Sequence, residues 1–102
     1  MPEYSVQCEV SLRYYDAPSQ DGQARFAQAA QLHSPGSSVT WNGPASATVL
    51  LNLRSEGEQE ACEEARSLII RWAQDDAHIG PDLPPEAFGI SCRAVRLEAP
   101  ET

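Results

Sequence analysis

Three cysteines, two histidines, seven arginines and fifteen carboxylates are the side chains of this chain that could do chemistry. Asp75, Asp76 and His78 form a D-D-x-H cluster at the expected end of a helix. Carboxylates and imidazole bind divalent cations, and acidic groups at a helix C-terminus are electrostatically unfavourable. The simpler reading is a solvated helix end. His33 could act as a general base only with a partner the sequence does not identify. Its simpler role is a half-buried histidine bonding the last carbonyls of a helix, where the dipole favours it. Cys8, Cys62 and Cys92 are odd in number, lack metal or redox spacing, and each falls on an apolar face. A reactive thiolate needs a neighbouring cation or helix N-terminus, and the sequence indicates neither. The three read as small core residues, with Cys8 and Cys92 on adjacent strands and the same covered face. All seven basic residues are arginine, which excludes lysine Schiff bases and a Walker-type phosphate loop. G-x-S-x-G, H-E-x-x-H and C-x-x-C are absent. No catalytic residue, metal ligand or cofactor is therefore assigned.

The candidate working surface is the polar face of a sheet. Glu9, Ser11, Arg13 and Tyr15 from a first strand share it with Thr48, Leu50 and Asn52 from a third and Arg93 from a fourth. Gln7, Thr40 and Ser91 accompany them. Two uses compete with simple wetting by water, which antiparallel sheets allow. Leu50, Tyr15, Val95 and Leu97 could form the apolar centre of a two-fold pair. Alternatively, Arg13 and Arg93 could anchor an anion beneath a long loop around Gly80–Pro85.

The elements that position these residues follow from periodicity. From Tyr4 to Tyr15, Tyr4, Val6, Cys8, Val10, Leu12 and Tyr14 alternate with Ser5, Gln7, Glu9, Ser11 and Arg13. Period-2 alternation predicts a strand buried on one side. Ser19 or Asp21 can cap a helix with Phe26, Ala29, Ala30 and His33 on one face, ended by Ser34-Pro35-Gly36. A short strand with Val39 and Trp41 on one side leads to Asn42-Gly43, a hairpin signal modified by Pro44. A strand over about 47–53 follows. Ser55 and Glu58 have capping-box spacing. The next helix carries Ala61, Cys62, Ala65, Leu68, Ile69, Trp72 and Ala73 in a stripe to about Asp75, with Ile70 among the polar residues opposite. After a long connection, 77–86, the last strand runs from Ala87 to Leu97. Phe88, Ile90 and Cys92 share a face, whereas Val95 and Leu97 have the opposite phase. Either a bulge near Arg93-Ala94 resets the register, or the strand's end meets a second apolar surface.

The order β-α-β-β-α-β, with right-handed crossovers, predicts an α+β, ferredoxin-like domain. Its four-stranded antiparallel sheet has the order 4-1-3-2 and both helices on one face. One domain is expected over 1–97, with 98–102 a loose tail. The length and order are similar to those of acylphosphatases, but Tyr14-Tyr15-Asp16-Ala17-Pro18 does not match their glycine-rich loop. RNA-recognition domains need aromatic residues where Glu9, Ser11 and Leu50 stand. Dimeric α+β-barrel proteins share the length and pair their sheets face to face.

The net charge of −8 argues against nucleic acid as a partner. No run approaches the ~20 apolar residues of a membrane span, and the first residues lack the pattern of a signal peptide. A cytoplasmic protein is expected. The reading is a non-enzymatic binding or accessory module acting as a homodimer, or with a protein partner, through the open sheet face. The alternative is a small dimeric α+β-barrel enzyme acting on an organic molecule, using His33, or Arg13 with Tyr15.

Overall fold

The computed structural model describes residues 2–12, 20–34, 36–43, 45–77 and 88–97. They form β1 (Glu3–Leu12), α1 (Gln20–His33), β2 (Ser38–Gly43), β3 (Ser46–Arg54), α2 (Glu58–Arg71) and β4 (Phe88–Leu97). A π-helical turn, Trp72–Asp76, extends α2. The sheet is antiparallel throughout, in the order β2-β3-β1-β4. Counted from the other edge this is 4-1-3-2, the ferredoxin-like α+β order expected from the sequence.

Alternation in β1 decides which face is covered. Tyr4, Val6, Cys8 and Val10 are buried, whereas Glu3, Gln7 and Glu9 are exposed. Val49 and Leu51 of β3 continue the buried layer. Phe26, Ala29 and Ala30 of α1 and Ala61, Ala65 and Ile69 of α2 close over it in one core. The small alanines let both helices lie near the sheet, and the aromatic residues fill what remains. Phe26 meets Trp41 and Trp72 edge to face, at centroid distances of 5.9 Å and 6.5 Å. These are the offsets that ring quadrupoles favour. Burying Trp41 leaves its indole N–H without an acceptor among the described residues.

Three local expectations change, and one open alternative is decided. β2 continues through Gly43, which pairs with Ser46, so Asn42-Gly43 is not the hairpin tip. Gly36 is the described glycine with a positive φ, 88°, whereas the expected turn would require one at Gly43. The capping box at Ser55 does not form. Ser55 is buried and its N–H donates to the Pro2 carbonyl at 3.1 Å, tying the end of β3 to the start of β1. The helix instead begins after an extended Gly57, with the Glu60 carboxylate folded against that glycine. Ile70 is half-buried against the core, because α2 packs on β4 as well as on β1 and β3 and covers more of its own circumference. Finally, β4 has no bulge. Its pairing with β1 runs unbroken from Phe88↔Leu12 to Leu97↔Glu3. Val95 and Leu97 therefore stand on the uncovered face. Tyr15, the 78–87 part of the long connection and the tail 98–102 lie outside the described residues.

Candidate functional site

The uncovered face is assembled by register. Across the sheet, Thr40, Thr48, Glu9 and Ser91 form one row, and Ser38, Leu50, Gln7 and Arg93 the next. Asn52, Ser5 and Val95 follow, then Arg54, Glu3 and Leu97. Ser11 lies between Ser46 and Gly89 at the other end. Six of the eight residues expected on this surface are thus brought together: Glu9, Ser11, Thr48, Leu50, Asn52 and Arg93. Arg13 and Tyr15 fall outside the described residues.

The centre is a hydrogen-bonded chain over three strands. Asn42 Nδ2 donates to Thr48 Oγ1 at 2.7 Å, and the Thr48 hydroxyl donates to Glu9 Oε2 at 2.9 Å. Gln7 Nε2 donates to Glu9 Oε1 at 3.2 Å. Both carboxylate oxygens are therefore engaged by neutral donors, which holds these side chains flat against the sheet. The same face carries three exposed apolar residues. Leu50 is 43 % exposed, Val95 55 % and Leu97 40 %. Sequence reading missed Asn42 as a donor, having given it to the turn. It also missed Glu3 and Arg54, although counting by twos from Glu9 or Leu50 reaches both.

Other candidates lie elsewhere. His33 is exposed, not half-buried, and its Nε2 stands 3.3 Å from Asp76 Oδ2. The π-helical turn brings Asp76 beside the end of α1, supplying the partner that the sequence did not reveal. This pair belongs to the helical layer, away from the open face. Asp75 is exposed, and His78 lies outside the described residues. Among the described residues no group of three or more His, Cys, Asp or Glu is arranged to hold a metal. No helix among them is long and apolar enough to cross a membrane.

Cys8 and Cys92 are direct partners across β1 and β4, with their sulfurs 2.8 Å apart. Contact with Cys92 and burial push the Cys8 thiol far up. Cys92 is held below the usual thiol value by the Cys8 hydrogen bond and by the Arg66 charge, against an opposing effect of burial. α2 thus supplies a cation that the linear sequence did not connect with Cys92. A groove of about 610 Å³ between α2 and the edge strand β4 is lined by Glu58, Cys62, Cys92, Arg93 and Arg96, among others.

Comparison with protein-family models, with curated proteins and with solved structures finds no significant match.

Proposed function

We propose that this protein is a non-enzymatic binding module that works through its open sheet face, joined to a second copy of itself. The observation that carries the reading is the apolar trio, Leu50, Val95 and Leu97, exposed on one face of a sheet whose other face is covered. Exposed apolar groups lose their contact with water when a second surface covers them, at about 25 cal/mol per Å².

Charge supports a like partner. The chain carries −8, which opposes self-association in general. Among the described residues of the open face, Glu3 and Glu9 are matched in number by Arg54 and Arg93. Two copies meeting there bring no excess of like charge together among these four groups. Strands spaced ~4.8 Å apart and up to ~30 Å long present roughly 500 Å² per copy, so a pair approaches the ~1,000 Å² expected of a specific interface. The polar chain through Glu9 keeps its groups internally bonded, which lowers the cost of covering them.

Native mass spectrometry of the full chain at low micromolar concentration tests this. A dimer without added mass is expected, and Leu50→Arg should give a folded monomer. A variant that dimerises unchanged would remove this face as the interface. A retained small molecule would instead favour the barrel-like enzyme, whose substrate would occupy the space between paired sheets.

A further inference from the structure

We propose that Cys8 and Cys92 form a reversible oxidation site, in which a hydroperoxide converts the cross-strand thiol pair into a disulfide between β1 and β4. The two residues are register partners in an unbroken antiparallel ladder. Directly opposed antiparallel residues stand about 4.5–5.5 Å apart at Cα, inside the about 4.4–6.8 Å that a disulfide spans. Their sulfurs are 2.8 Å apart, roughly 0.8 Å from a covalent S–S separation. Closure therefore needs side-chain adjustment, not movement of the strands. Both cysteines are free in this structure.

The pair is asymmetric in a way that suits the chemistry. Cys8 is fully buried at 0 % exposure, whereas Cys92 is partly exposed and lines the groove beside α2. A small oxidant can reach Cys92 from that groove, while Cys8 waits behind it. Arg66 and the Cys8 thiol both favour the Cys92 thiolate, which is the nucleophilic form. Cys62 lines the same groove, but burial and the neighbouring Cys92 raise its thiol above the ordinary value.

The steps balance with hydrogen peroxide as oxidant. The Cys92 thiolate attacks one peroxide oxygen. An S–O bond forms, the O–O bond breaks, and the departing hydroxide takes a proton to become water. Cys8 then attacks the Cys92 sulfur of this sulfenic acid. The S–S bond forms, the S–O bond breaks, and the hydroxyl leaves as water with the Cys8 proton. Two thiols lose two electrons and two protons, and one peroxide becomes two waters. A dithiol reductant reverses the link by exchange.

Arginine positions make the test direct, because cleavage after arginine leaves each cysteine in its own peptide: 1–13, 55–66 and 72–93. The full-length protein is treated with hydrogen peroxide, blocked with iodoacetamide and mapped without reduction. The expected product joins 1–13 to 72–93, disappears with dithiothreitol, and persists in Cys62→Ser. The same oxidation in guanidinium provides the contrast. Cys62 and Cys92 are 92 − 62 = 30 positions apart, against 84 for Cys8 and Cys92. Loop-closure entropy therefore favours the 62–92 link in the unfolded chain, and a preference for 8–92 reports the fold. In Cys8→Ser, Cys92 should stop at the sulfenic acid, captured by dimedone, or proceed to the sulfinic acid. A dominant 62–92 link in the folded protein, an intermolecular link, or oxidation of Cys62 with the pair intact would overturn the proposal.

Discussion

The two faces of the sheet come from the same strands and differ by one residue of register, yet they carry opposite chemistry. On the helix side, Val6, Cys8, Val49 and Leu51 are buried and their contacts are made within the chain. On the open side, Gln7, Glu9 and Thr48 bond one another, while Leu50, Val95 and Leu97 have no cover. Energy stored on the first face is folding energy. Energy available on the second appears when something lies on it. A residue's stability effect should therefore depend on its parity along a strand, and its association effect should depend on the opposite parity.

The largest expected effect is on the covered side. Trp72, the first residue of the π-helical turn, is buried against Phe26, and Trp72→Ala should cost about 3–5 kcal/mol, read by urea denaturation. Ile69→Ala should cost about 2–5 kcal/mol on the same grounds. Oxidation of the thiol pair should move the other way. A link closing a loop of about this length is worth up to roughly 4–5 kcal/mol in the chain-entropy model, so the peroxide-treated protein should unfold at higher urea. On the open side the pattern should invert. Leu50→Arg should change stability within about 0.5 kcal/mol while shifting the oligomer to monomer in sedimentation velocity. If it destabilises as much as Ile69→Ala, the division between faces fails. Thr48→Val removes the middle of the Asn42–Thr48–Glu9 chain, and at this half-exposed site the cost should stay below about 1 kcal/mol. Smallest of all, Asp76→Asn breaks an exposed pair with His33 and should alter stability by less than about 0.5 kcal/mol.

How much of this is legible in the chain depends on the range of the interaction. The buried set of β1 is readable because alternation is a local signal, and the α2 stripe because it repeats every three or four residues. The opposite phase of Val95 and Leu97 is also visible in the sequence, but whether it means a bulge or an exposed patch is settled by the unbroken pairing of β4 with β1. Local motifs misled where a distant segment competed. Ser55 has the spacing of a cap, but the carbonyl of Pro2, brought in by sheet pairing, takes its backbone N–H. Asn42 has the chemistry of a turn, but Thr48 across the hairpin takes its side chain.

The sequence by itself determined the α+β class, the order of elements, the buried side of the first three strands, and the absence of any motif that names a reaction. Those features are set by the period of apolar residues and by residue types, which need no third dimension. Tertiary structure decided which groups meet. It set the 2.8 Å approach of Cys8 to Cys92, the Arg66 charge near that pair, the His33–Asp76 contact and the cross-strand placement of Glu3 opposite Arg54. Each joins residues far apart in the chain, and their distances follow from strand register and helix docking, which no single segment specifies.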